Sequence, residues 1–318
     1  MLQISSNELK MEAKKNGYRP EIVEKVYHLL NLLEEIMAIP YLSNRLALKG
    51  GTAINLFFSK QFPRLSVDID LNYIGSVDKE IMKQEKIEIE NILMEVCKRK
   101  KYELYRNPQH YAGGKTVLIY KSLLGTKGHL EIDLNYLYRS PLWKPDWQYS
   151  LEWPKKIGVN ILDVHELAAG KLNALLDRVT SRDLFDSHKL LTKWKLDNEK
   201  LRLSFTVYNA MRRQNWQDIK VDNIKFSVKD IRDKLIPVLK NFQISSAKTI
   251  DVKTWAKKLT TECKEKLNIV LPFRENKIAF FEALQKYKEI KPELISSDMN
   301  FCQRVKMHPL LLWRIKTV

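Results

Sequence analysis

Between Leu65 and Leu71 the chain alternates apolar and polar residues without a break, and that alternation constrains it most. Leu65, Val67, Ile69 and Leu71 fall on one face of a predicted strand, and Ser66, Asp68 and Asp70 on the other. Strand residues two apart project the same way, about 6–7 Å from each other. Asp68 and Asp70 thus offer two carboxylates to one point, and like charges side by side repel unless a cation lies between them. The pair points to a divalent metal with oxygen ligands, Mg²⁺ or Mn²⁺. Upstream, a strand-like run from Arg45 to Lys49 is broken by Gly50-Gly51-Thr52, and an apolar helical pattern begins at Ala53. A Gly-rich turn opening a helix leaves backbone N–H groups to hold phosphate oxygens. Taken singly, the parts have plainer readings: a tight turn, and a solvated strand edge. Together, a phosphate-holding turn, a short helix and a metal-binding strand read as nucleotide chemistry.

Lys49-Gly50-Gly51-Thr52-Ala53, with Arg64-Leu65-Ser66-Val67-Asp68-Ile69-Asp70, resembles the signature of the AbiEii/AbiGii toxin family. These are nucleotidyltransferase-like proteins of bacterial toxin–antitoxin and abortive-infection systems. They fall in the superfamily of DNA polymerase beta and the tRNA CCA-adding enzymes. That superfamily commonly has Gly-Ser where this chain has Gly50-Gly51, a departure shared by the AbiEii branch. The resemblance covers residues 20–195. It implies an α/β fold: a polymerase-beta-like domain with a small mixed sheet and flanking helices, then a helical C-terminal region. The implied reaction moves a nucleoside monophosphate from an NTP to an acceptor hydroxyl and releases pyrophosphate. Asp68 and Asp70 would bind the metal, and Gly50, Gly51, Thr52 and Ser66 the nucleotide.

Polymerase-beta-like sites need a third carboxylate on a neighbouring strand, to complete the metal site and accept the hydroxyl proton. In the predicted strand 129–136, Leu130, Ile132, Leu134 and Tyr136 form the apolar face, and Glu131, Asp133 and Asn135 the polar one. Ile132-Asp133-Leu134 repeats the apolar–Asp–apolar form of the first strand, so Asp133 matches best and Glu131 is the alternative. A second block, from Lys171-Leu172-Asn173-Ala174-Leu175 to Arg182-Asp183-Leu184-Phe185-Asp186, also resembles the family in spacing and residue type. There the lysine is thought to contact nucleotide phosphates, and the later Asp belongs to the active site. Lys171 and Asp186 take those roles by resemblance; the plainer reading is an ion-pair network tying two helices together.

The remaining expectations are coarser. A helix fills the chain up to about residue 42, where Pro40 stops it. A second spans about 79–100, with Ile81, Ile87, Ile89, Ile92, Leu93 and Val96 on its inner side. Gly113-Gly114 marks a hairpin turn between a β region at 102–105 and a strand at 115–120. Residues 141–154 read as a loop-rich crossing whose Trp143, Trp147 and Trp153 are core anchors. A helix follows at 161–178, Thr180 or Ser181 caps the next, and helical stretches recur at 231–239, 252–267 and 278–287. Two domains are expected, 1–155 and 156–318, with the active-site cleft open to both.

Lys and Arg number 55 against 38 Asp and Glu, a net charge of +17. That excess favours a polyanion as partner or substrate. With the family resemblance it points to RNA, a tRNA 3′ end above all, as acceptor, and to a cognate antitoxin as protein partner. Lys98-Arg99-Lys100-Lys101 and the stretch with Arg304, Lys306, Arg314 and Lys316 are the candidate basic patches. No apolar run approaches the ~20 residues of a membrane span. Without signal-peptide features, and with only Cys97, Cys263 and Cys302, a reducing cytoplasm is expected. Nucleotide transfer to a protein, phosphoryl transfer to a partner, and a catalytically silent binding module are the competing readings.

Overall fold

A computed structural model describes residues 4–59, 64–107, 110–240 and 251–317; residues 1–3 of the expected N-terminal helix lie outside them. The chain divides into two compact units. The first comprises Met1–Arg139, Pro145–Leu162 and Pro237–Ser245; the second comprises Ser140–Lys144, Asp163–Ile236 and Ser246–Val318.

The first unit is built on a mixed sheet of seven strands in the order β3-β4-β5-β2-β1-β7-β6. They are β1 (Leu46–Lys49), β2 (Asp68–Tyr73), β3 (Glu103–Arg106), β4 (Gly113–Lys121), β5 (Lys127–Asn135), β6 (Asp146–Tyr149) and β7 (Gly158–Ile161). The central β2 pairs with β5 in parallel and with β1 antiparallel, and β1 pairs with β7 in parallel. One face of the sheet is apolar: Ile69, Leu71, Leu130, Ile132 and Leu134 are all buried. Helix α2 (Pro20–Met37) packs against β2, β5 and β7 with Val23, Val26, Leu29, Leu30, Leu33 and Ile36 fully buried. Helix α1 (Ser6–Asn16) precedes it and ends at Gly17, whose left-handed φ of 74° closes the helix. Thus the long predicted helix is two helices.

Helix α3 (Lys79–Arg99) buries Met82, Ile89, Leu93, Val96 and Cys97, whereas Ile81 and Ile87 are exposed. Ile89, Leu93 and Val96 of the predicted inner side are buried as expected, and the stripe they form with Met82 has no room for Ile81 or Ile87. Gly113 and Gly114 do not form the turn but open β4. Gly113 has φ +93°, and a Cβ there would lie 2.0 Å from the carbonyl oxygen of Leu134. The expected crossing at 141–154 contains β6, with Trp153 stacked on Tyr18 at 5.8 Å.

The second unit is helical: α4 (Val164–Asp177), α5 (Ser181–Lys193), α6 (Asn198–Ala210), α7 (Val252–Lys266), α8 (Glu275–Lys286), α9 (Met299–Lys306) and α10 (Pro309–Thr317). Asp163 caps α4 by accepting from the N–H of His165, and α4 packs on both α5 and α6. Trp143 anchors this unit, stacking on Phe301 at 5.1 Å and donating to Ser204 Oγ at 2.9 Å. Among the described residues no helix is long and apolar enough to cross a membrane.

Two glycines with similar φ separate strain from crowding. Gly125, with φ +90°, has open space where a Cβ would stand, so Gly125→Ala should cost only the ~1–2 kcal/mol of a left-handed side chain. Gly113→Ala adds a collision with the backbone of β5. Its denaturation midpoint should fall well below that of Gly125→Ala when the two are compared by chemical denaturation.

Candidate active site

The register of three strand pairs assembles the site. Opposed residues in paired strands share a face. Lys49 of β1 lies opposite Asp70 of β2, Asp70 lies opposite Asp133 of β5, and Asp133 lies opposite Lys115 of β4. One step along, Asp68 lies opposite Glu131. One face of the sheet therefore carries Asp68, Asp70, Glu131 and Asp133 in a two-by-two block flanked by two lysines. The carboxylates are half-buried, while the residues alternating with them are buried on the opposite face.

Both lysines respond to the block. Burial pushes the Lys49 ammonium below its ordinary pKa, and the charges of Asp70 and Asp133 oppose that fall. The Lys115 ammonium is raised, first by its hydrogen bond to Glu131 and then by the charges of Glu131, Asp68 and Asp133. That ion pair, Lys115 Nζ to Glu131 Oε2, measures 2.7 Å.

The Gly-rich turn sits directly beside this face. A Cβ on Gly50, which has φ +71°, would fall 2.2 Å from Asp70 Oδ2, so only glycine leaves room for that carboxylate. A Cβ on Gly51 would fall 2.7 Å from Arg64 Nη2 and 3.0 Å from Ser66 Oγ. Gly50–Thr52 form a helical turn that continues through Ala53–Phe58. Thr52 is fully buried and its hydroxyl donates to the carbonyl of Asp68. That bond ties the turn to β2.

Arg64 and Ser66 precede β2 instead of extending it, and both are buried. The chain there is held by Val238, whose carbonyl accepts from the N–H of Leu65 at 2.9 Å. The alternation alone assigned Arg64 no role, although its place in the motif was the signal. A buried guanidinium against the glycine turn is a group suited to a phosphate.

A bound divalent metal is tested by the donor set. Three Asp carboxylates at adjacent positions on one face, with the space Gly50 provides, suit a hard cation. Among the described residues, however, no three His, Cys, Asp or Glu side chains stand close enough together to hold one. The fit is therefore one of residue type and register.

In the second unit, Lys171 on α4 donates to Asp183 Oδ1 at 2.8 Å and lies 3.2 Å from Asp186 Oδ2. Arg178 Nε reaches Asp183 Oδ2 at 2.7 Å, and the Thr180 hydroxyl donates to the same oxygen. Thr180 is the N-cap of α5, which its side chain serves through Asp183 and not through a backbone N–H. Asp183, with a role unassigned in the sequence, is the centre of this network and joins α4 to α5.

The candidate basic patches are partly neutralised. Arg99 and Lys100 pair with Glu35, and Lys306 lies 3.5 Å from Glu293. Arg304 donates to the carbonyl of Leu142, and Arg314 is buried.

A mixed sheet bearing paired Asp residues beside a Gly-Gly turn defines a nucleotidyltransferase-like protein. A family model described as "Nucleotidyl transferase AbiEii toxin, Type IV TA system" matches residues 31–284, and the chain belongs to that family. It is thus a nucleotidyltransferase toxin of a type IV toxin–antitoxin system, a class that implies a nucleotide substrate and an antitoxin partner. No curated protein matches the sequence. Its fold is similar to that of MenT4, a nucleotidyltransferase toxin from Mycobacterium tuberculosis H37Rv. The likeness has a TM-score of 0.60 over 92% of this chain and 98% of that one, at 12% identity.

The Asp183 network makes stability depend on pH. Burial alone would raise the Asp183 carboxyl, but Lys171 and Arg178 outweigh it and hold it well below the usual carboxylate range. A carboxylate depressed in the folded state stabilises the fold above its unfolded pKa, near ~4, and loses that contribution as pH falls through the folded value. Asp183→Asn should therefore cost about 3 kcal/mol at pH 7. The difference from wild type should shrink steadily below about pH 4 in denaturant titrations.

Proposed function

We propose that the Asp68–Asp70–Asp133 face transfers a nucleoside monophosphate from an NTP to a hydroxyl of RNA, a tRNA 3′ end being the acceptor, and so blocks translation in the cytoplasm. The observation carrying this reading is the parallel register that sets Asp70 beside Asp133 next to the Gly50–Gly51 turn. The net charge of +17 favours RNA over a neutral acceptor.

Asp68, Asp70 and Asp133 would hold Mg²⁺ or Mn²⁺, which when bound neutralises triphosphate oxygens and polarises the reacting phosphorus. The backbone N–H groups of Gly50 and Gly51 hold phosphate oxygens, with Ser66 and Arg64 beside them. Asp133 accepts the proton of the acceptor hydroxyl as that oxygen bonds to the α-phosphorus. The bond from the α-phosphorus to the bridging oxygen breaks, and pyrophosphate leaves. Lys171 offers its charge to the triphosphate, and Asp186, 3.2 Å away, orients it. Catalysis is mainly positioning and charge neutralisation, as in other transfers at phosphorus.

Incubation with each labelled NTP, total RNA and Mg²⁺ should place label on RNA. Asp68→Asn and Asp70→Asn should each reduce the rate at least about a hundredfold, a loss of several kcal/mol of charge stabilisation. Their melting temperatures should stay close to wild type, because neither side chain belongs to the core. Label on protein instead would move the acceptor class. Absence of transfer to any macromolecule would sink the reading.

A further inference from the structure

The sheet face that carries the carboxylates does not stop at them. Along β5 the same face continues from Asp133 through Glu131 and His129 to Lys127, every second residue. Their β4 partners are Lys115, Val117, Ile119 and Lys121. The alternate residues Leu118, Tyr120, Leu130 and Ile132 are buried on the opposite side. At the sheet edge all four residues of β3 are exposed, and an irregularity between Leu104 and Arg106 interrupts the pairing there. The Tyr105 ring meets His129 edge-on, with centroids 5.9 Å apart and planes at 71°. Yet Tyr105 is 68% exposed.

We propose that this open face of β3, β4 and β5 is a track for the single-stranded end of the RNA acceptor, with a base stacking on Tyr105 and His129. The proposal rests on the reading above that the acceptor is RNA, and it assigns the subsite that holds the strand behind the reacting hydroxyl.

Three observations carry it. The first is an exposed aromatic pair on the carboxylate face. A ring left largely in solvent beside an exposed imidazole gives a base a π-surface to stack on. The second is charge: Arg106, Lys115, Lys121 and Lys127 outnumber Glu103, Glu131 and Asp133 along the track, an excess that suits a phosphate backbone. The half-buried Val117 and Ile119 lie between them as an apolar floor. The third is distance. His129 is four residues from Asp133 on one strand, about 13 Å, the reach of a short single-stranded end. A peptide added along the β3 edge would instead be held by backbone hydrogen bonds and would make little use of the Tyr105 ring.

The test uses the full chain and a fluorescently labelled single-stranded oligoribonucleotide ending in CCA. Tyr105→Ala and His129→Ala should each weaken its binding about 5- to 100-fold. They should raise the KM for RNA by a similar factor while leaving kcat and the KM for NTP unchanged, because uniform acceptor binding is lost. Tyr105→Phe keeps the ring and should behave as wild type. Tyr287→Ala, which removes an equally exposed ring elsewhere, should change nothing. If wild type labels RNA but Tyr105→Ala binds and labels it equally well, the track is wrong and the reading of the acceptor stands. If wild type labels a protein and binds no oligoribonucleotide, both fall. Ultraviolet cross-linking to the same oligoribonucleotide decides without a variant. Adducts on peptides containing Tyr105 or His129 support the track, and adducts confined elsewhere overturn it.

Discussion

The parallel pairing of β2 with β5 is the constraint on which the first unit depends. Parallel neighbours need a long crossover, and here it consists of α3, β3 and β4. That crossover places β4 antiparallel beside β5 and leaves β3 at the edge. The same pairing sets Asp70 beside Asp133 and Asp68 beside Glu131. Four carboxylates on one patch of sheet would repel strongly if they stood alone. Lys49 and Lys115, placed on the two flanking strands by register, offset that repulsion from either side. Within the chain itself, the positive charge beside the patch comes from these two lysines.

Around this patch the sequence has small residues where the backbone must come close. Gly50 leaves space for the Asp70 carboxylate, and Gly51 leaves space for Arg64 and Ser66. Thr52 ties the turn to the start of β2 through the Asp68 carbonyl. A helix-opening turn and a carboxylate strand are thereby fixed to one another by a hydrogen bond and two glycines. Pre-set geometry of this kind is what transfers at phosphorus demand, since little covalent chemistry falls to the protein. In the second unit Lys171 is held just as firmly, by Asp183 and Asp186 on the next helix.

Much of this was legible in the sequence, because strict period-two alternation identifies a strand and its faces. Asp68, Asp70, Glu131 and Asp133 were assigned to polar strand faces in that way, and the structure places them so. The alternation misled at its beginning. Arg64 and Ser66 are buried ahead of β2, where the chain is held by a segment more than 170 residues away, at Val238. No local pattern carries that information. Strand β7 was missed for a similar reason: four residues beside β1 in a long-range parallel pair offer too short a pattern. On α3 burial follows the helical stripe, which takes in Met82 and Cys97 beside Ile89, Leu93 and Val96 and leaves Ile81 and Ile87 in solvent. The centre of the α4–α5 network, Asp183, lay within a recognised block, but only the structure shows three donors meeting on it.

The central claim is that Asp68, Asp70 and Asp133 share one divalent cation, and direct titration with Mn²⁺ tests it most closely. Electron paramagnetic resonance reports free Mn²⁺ as it is added to the protein with a non-hydrolysable NTP analogue. The account predicts saturable binding that is lost in Asp70→Asn and in Asp133→Asn and retained in Glu131→Gln. Binding that survives Asp70→Asn, or that needs Glu131 in place of Asp133, would contradict it.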